Sequence, residues 1–238
     1  MVQQLQPEIV SDIIYPESDG LPMADNTKQF RWIVIIKENL EILFASIADV
    51  FVGGNLFWYP VEKQPKIKQA PDAMVVFGRP KGDRSSYKQW EEDNIPPQVV
   101  FEILSPGNTT KEMSNKLLFY LRYGVEEYYI YDPETVELTC MVRSEQWFEE
   151  IQDINGWVSP RLGIKFELTP ETLVIYRPDG NRFLTTVELN QLREQERLRA
   201  EQERQQKEVA LQQLEQEQQR YQDLLKRLQE KGIDTENL

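Results

Sequence analysis

Residues 99–133 read VVFEILSPGNTTKEMSNKLLFYLRYGVEEYYIYDP. The first six residues are β-branched or large and apolar on both faces, interrupted only by Glu102, which is the pattern of a buried strand. Ser105-Pro106-Gly107-Asn108 breaks the run. Beyond it, Met113, Leu117, Tyr120 and Leu121 recur at short helical steps, so a helix is expected over about 110–123, stopped by Gly124. Tyr128-Tyr129-Ile130-Tyr131 is again a strand, closed by Asp132-Pro133. A strand, a helix and a strand in succession place the chain among mixed α/β folds.

Working upstream, Asn26 or Thr27 caps a helix whose apolar face is Ile33, Ile36, Leu40, Leu43, Phe44 and Ile47, with its end near Ile47. Val50–Val52 and Leu56–Tyr59 flank Gly53-Gly54-Asn55, which reads as a hairpin. Residues 71–77 form a strand that begins at a proline. Residues 79–97 are polar, with a short helix expected at 87–92. Downstream, residues 136–185 read as short strands around turns at Asn155-Gly156 and Asp179-Gly180. The expected organisation is an extended arm at 1–28, an α/β domain at 29–185 with a β-rich extension, and a helical tail at 186–238.

The tail differs in composition. Residues 191–230 hold twelve Gln and eight Glu, with no Gly and no Pro. Leu211, Leu214, Gln218, Tyr221, Leu225 and Leu228 fall at alternating three- and four-residue steps, a heptad seam of about two and a half repeats. It reads either as a coiled coil that sets oligomeric state or as a solvated helix with a short docking stripe.

Composition excludes much chemistry. The 238 residues include no histidine, so imidazole-based nucleophilic systems and His-ligated zinc are out. A single cysteine, Cys140, excludes intrachain disulfides and Cys-rich metal clusters. A metal would need oxygen ligands, which favours Mg²⁺, Mn²⁺ or Ca²⁺. No apolar run reaches the ~18 residues of a membrane span, and the N-terminus carries no signal-peptide pattern, so a cytoplasmic protein is expected.

The net charge is −13, which argues against a sequence-blind nucleic-acid binder. One stretch runs the other way. From Glu62 to Lys88 there are seven basic residues (Lys63, Lys66, Lys68, Arg79, Lys81, Arg84 and Lys88) against three acids. It is either a pair of solvated loops or a local grip on a phosphate backbone.

Glu102 is the most informative residue, because a carboxylate on a buried strand costs several kcal/mol unless compensated. Asp72 follows Pro71 and opens another strand of the same sheet, so the two acids can share one divalent ion. Hydrolysis of a phosphodiester also needs a positive group against the phosphate. Leu104 stands where a Glu-x-Lys motif would carry lysine. On the following helix Lys116 lies about 60° from Met113, at the edge of the apolar face, while Lys111 points away. Lys116 can thus reach a site at the edge of the sheet.

Pro71-Asp72, Glu102-Ile103-Leu104-Ser105-Pro106, Lys116-Leu117-Leu118-Phe119-Tyr120 and the run from Gly124 to Pro133 resemble the Uma family of bacterial endonucleases, within the restriction-endonuclease-like PD-(D/E)XK superfamily. The likeness covers about residues 29–185. It implies an α-β-β-β-α-β core and a Mg²⁺-dependent (or Mn²⁺-dependent) phosphodiesterase site. Asp72, Glu102 and Lys116 would be catalytic, the lysine being displaced to the helix. Asp72, Glu102 and the Ile103 carbonyl would bind the metal. Leu104 departs from the superfamily pattern, and Asn55 stands where an acid is expected. Glu38 and Glu41, from the first helix, point away from its apolar face and are not carried over.

The leading expectation is therefore a metal-dependent endonuclease acting on DNA, without membrane association and as a homo-oligomer joined through the tail. The alternative is a catalytically idle nuclease-like module that acts as an interaction protein through its coiled-coil tail. A carboxylate-pair glycosidase also needs no histidine, but no tryptophan lies close to Asp72 or Glu102 in sequence.

Overall fold

A computed structural model describes residues 13–18, 20, 24 and 26–230. The chain divides into two compact units, Met1–Thr185 and Thr186–Leu238. The first unit runs α1 (Thr27–Leu43), β1 (Val50–Gly53), β2 (Trp58–Tyr59), β3 (Ala73–Phe77), β4 (Tyr87–Lys88), a 3₁₀ turn at Gln89–Glu91, and β5 (Val99–Ile103). It continues through α2 (Thr110–Tyr123), β6 (Glu127–Asp132), β7 (Glu137–Ser144), β8 (Trp147–Glu150), β9 (Lys165–Leu168) and β10 (Leu173–Tyr176).

The central sheet has six strands in the order β1-β3-β5-β6-β7-β8. All neighbours are antiparallel except β5 and β6, which α2 joins as a parallel crossover. The two helices take opposite faces. Ile33, Ile36 and Leu40 of α1 pack with Val50, Val52, Val75, Phe101 and Ile103. Tyr120 of α2 packs with Met74, Val76, Val100 and Tyr128. Covered on both faces, β5 is buried along its whole length, which is why its sequence is apolar without alternation.

Both helices start and stop where their ends find partners. The Asn26 side chain accepts from the Lys28 and Gln29 N–H groups at 3.0 and 2.8 Å. Thr109 accepts from the Glu112 N–H at 3.2 Å. Gly124 ends α2 at φ +99°, where a Cβ would lie 3.0 Å from Pro96 Cγ.

Several local expectations change. Val50–Val52 and Leu56–Tyr59 do not form a hairpin. The first pairs with β3, whereas β2 pairs in parallel with β4. Asn55, at φ +49°, redirects the chain instead, and its N–H bonds to the Pro71 carbonyl at 3.0 Å. The segment 87–92 is a short strand and a 3₁₀ turn rather than a helix. Half of the expected β-rich extension, β7 and β8, continues the central sheet, because β6 offers β7 six paired positions. Of the expected arm at 1–28 most lies outside the described residues. Within it the Tyr15 ring packs on Tyr59 and Trp90, and the Tyr59 hydroxyl donates to the Pro16 carbonyl.

The second unit is α3 (Thr186–Glu230), one uninterrupted helix of 45 residues. Its length is about 68 Å at 1.5 Å per residue. Ion pairs one turn apart, Arg197–Glu194, Arg199–Glu203 and Arg204–Glu201, lie along its solvated surface. Leu198, Val209, Leu211, Leu214, Tyr221 and Leu224 are exposed. No helix among the described residues is long and apolar enough to cross a membrane.

Candidate active site

The alternation of side chains along β3 and β5 decides where the acids point. Met74 and Val76 of β3 and Val100 of β5 face α2. By the period of two, Asp72 and Glu102 belong to that same face. The β3–β5 register pairs Ala73 with Phe101, which sets Asp72 across from Glu102. The two acids therefore meet beneath α2, from which Lys116 and Tyr120 descend one helical turn apart.

The contacts are close. Lys116 Nζ lies 2.9 Å from Glu102 Oε2 and 3.7 Å from Glu112 Oε1. The Tyr120 hydroxyl donates to Glu102 Oε1. The Ile103 N–H donates to Asp72 Oδ2 at 2.7 Å. The Ile103 carbonyl accepts from Gln29 Nε2 at 2.8 Å. The structure thus brings together all four residues singled out in the sequence. It places them at the end of β5 in the interior of the sheet rather than at its edge, because β5 is third of six strands. Glu38 and Glu41 stay outside the site, both paired with Lys37.

The electrostatics follow from burial. Glu102 is 2% exposed and Asp72 8%. Burial, followed by repulsion from Glu102, pushes the Asp72 carboxyl up to about 8, against the pull of the Ile103 N–H and Lys116. Burial raises Glu102 too, opposed by Lys116 and the Tyr120 hydroxyl. For Lys116 burial works against the charge, but Glu102, Asp72 and Glu112 outweigh it and the ammonium is held above its ordinary value. Three carboxyl groups, Asp72, Glu102 and Glu112, face the one Lys116 ammonium, so the cluster is short of positive charge whenever all three are ionised.

Three participants escape the sequence reading. Tyr120 looks like one more apolar-face residue, yet its spacing of four from Lys116 is the available signal. Tyr128 is fully buried, its hydroxyl has no hydrogen-bond partner among the described residues, and burial, followed by the nearby Glu102 and Asp72 charges, pushes that hydroxyl well above its ordinary value. Its signal is alternation, since it pairs with Val100 on the face of Glu102. Gln29 is 7% exposed. It lies four residues before Ile33, on the buried stripe of α1.

The donor set fits a hard divalent cation. Asp72, Glu102 and the Ile103 carbonyl offer only oxygen, and Asp72 Oδ1 accepts no hydrogen bond among the described residues. No group of three or more acidic, histidine or cysteine side chains suited to a metal occurs among the described residues. Two carboxylates and a backbone oxygen are thus what this site provides.

The basic stretch needs correction. Arg79 pairs with Glu92 at 2.8 Å and with Asp93, Arg84 with Glu92 at 2.6 Å, and Lys88 with Glu91 at 3.3 Å. Residues 79–93 contain four basic and four acidic residues. The acids that cancel this charge lie just beyond Lys88, so the positive run seen in the sequence does not survive as one surface.

A second buried acid, Glu127, is spoken for. It accepts from Tyr129, Ser159 and the Arg161 N–H. This satisfied set ties β6 to the loop before β9 and has no open donor or acceptor that points to chemistry.

Residues 22–171 match the Uma2 family, described as "Putative restriction endonuclease". Among solved structures, one from Anabaena variabilis ATCC 29413 is described as "a putative nuclease belonging to DUF820". It is 15% identical, the match covers 56% of this chain and 72% of that chain, and the TM-score is 0.42. No curated protein matches.

Proposed function

The chain belongs to the Uma2 family, and from that premise we propose that it is a metal-dependent endonuclease with a restriction-endonuclease-like core. The observation that carries the reading is the convergence of Asp72, Glu102 and Lys116 beneath α2. Asp72 Oδ1, Glu102 and the Ile103 carbonyl would hold Mg²⁺ or Mn²⁺. The ion supplies there a polarised water and positive charge against the scissile phosphate.

The chain's own residues do the rest. The Ile103 N–H fixes the Asp72 carboxylate, and Gln29 fixes the Ile103 carbonyl from the opposite face of the sheet. Tyr120 locks Glu102 in one orientation. The Lys116 ammonium compensates Glu102 in the resting site and stabilises the extra negative charge of the pentavalent phosphate. The test is cleavage of supercoiled plasmid with Mg²⁺ or Mn²⁺ and with EDTA. We expect metal-dependent nicking that falls at least about 100-fold in Asp72→Ala and Glu102→Gln. Equal residual activity in the parent and Asp72→Ala rules the assignment out.

One observation favours a second reading. Both Glu102 oxygens and the Ile103 carbonyl are already satisfied by Lys116, Tyr120 and Gln29. A cluster closed in this way suits an idle nuclease-like module that works through α3. On either reading we assign self-association to the exposed seam around Leu211, Leu214 and Tyr221. Plasmid cleavage separates the two readings.

A further inference from the structure

We infer that loop 60–70 is the element that grips the sugar–phosphate backbone of duplex DNA beside the carboxylates. This rests on the nuclease reading and assigns its substrate contact to a specific part of the chain. The loop carries Lys63, Lys66 and Lys68 against Glu62 alone, in a chain of net charge −13. None of the three lysines has an ion-pair partner among the described residues, whereas Arg79, Arg84 and Lys88 are paired with acids and the Lys81 ammonium is turned onto the Phe44 carbonyl. The charge reversal read from the sequence thus contracts to this loop.

The loop is held before any ligand arrives. Trp58 and Gln69 clasp its base with two backbone hydrogen bonds, of 2.7 and 3.2 Å, and the Ile67 N–H donates to the Gln64 carbonyl at 2.9 Å. Lys63 sits in the left-handed region at φ +64°, its N–H donating to the Tyr15 hydroxyl at 2.6 Å. The Lys68 ammonium lies 3.7 Å from the centre of the Phe57 ring. Ordering cost on binding is correspondingly small.

The loop also leads directly into the site. The Trp58 ring stacks on Tyr120 at 6.3 Å, and Tyr120 holds Glu102. Three residues beyond Gln69 the chain reaches Asp72. A strand of phosphates lying on the lysines would therefore pass the segment that delivers the first acid, while the acidic remainder of the protein repels DNA elsewhere.

The experiment is fluorescence anisotropy of a labelled DNA duplex with the full chain in EDTA, across a salt series. Lys63→Gln/Lys66→Gln/Lys68→Gln should weaken binding at least about tenfold at low salt and reduce the slope of log affinity on log salt by about 2 to 3. The double variant that keeps Lys68 should show about two-thirds of that change in slope. Lys207→Gln/Arg220→Gln/Lys226→Gln removes equal charge from α3 and should leave the slope unchanged. A triple loop variant with the parent's affinity and slope overturns the inference, as does an equal loss from the α3 variant. A parent that binds through the loop yet cleaves no plasmid supports the inference and defeats the nuclease reading. A parent that binds no duplex overturns the inference and leaves the nuclease reading to the plasmid assay.

Discussion

Asp72 is the residue at which the proposed chemistry and stability meet. Its carboxyl is pushed up to about 8 from 3.8, chiefly by burial. Between these values the native state holds a proton that the unfolded chain has released, so stability falls as pH rises from about 4 to about 8. Asp72→Asn keeps an acceptor for the Ile103 N–H and removes this titration. Denaturation of the metal-free variant should show a flatter profile over that window, with a gain over the parent of a few kcal/mol at pH 8 and convergence near pH 4. Parallel profiles would contradict the account. Asp72 itself was legible from Pro71-Asp72 at a strand start, as Glu102 was from a lone acid in an apolar run. Tyr128 was not, since a tyrosine on a buried strand is ordinary until its neighbours across the sheet are known.

Among the elements α2 does most to build the site, because it delivers Lys116 and Tyr120 on one face and ends before the strand that Glu102 neighbours. Its C-terminus depends on Gly124, whose φ of +99° strains any side-chain-bearing residue and where a Cβ would press on Pro96 at 3.0 Å. Gly124→Ala should destabilise the protein by about 1–2 kcal/mol, seen as a melting temperature lower by several degrees. An unchanged melting temperature would show that the turn relaxes at no cost. The bounds of α2 were readable from Thr109, the apolar spacing and Gly124, all of them local signals. The false hairpin at Val50–Tyr59 shows the converse. A Gly-Gly-Asn turn is consistent with local pairing, but β1 gains four paired positions by lying against β3 in the central sheet, and the turn then serves to bring Asn55 to Pro71.

At the scale of the whole molecule the two units have different sources of stability. Met1–Thr185 is organised around a sheet covered on both faces, whereas α3 is a polar helix laced with one-turn ion pairs and an exposed apolar seam. If that seam joins two copies, the full chain should sediment as a dimer and a chain ending at Thr185 as a monomer. The same mass per particle for both would remove α3 as the assembly element. The sequence by itself determined α1, α2 and α3, the buried strand carrying Glu102, the exclusion of imidazole and cysteine-cluster chemistry and the composition break at the tail, because caps, periodicity and missing residue types act locally or need no geometry. Only the tertiary structure decided that β3 and β5 are neighbours in a register setting Asp72 opposite Glu102. It also decided that Gln29 reaches the site from the other face, and that Glu91, Glu92 and Asp93 cancel the nearby basic residues. Each of these depends on distances between side chains that strand pairing and chain reversal bring together, and spacing along the chain does not encode those distances.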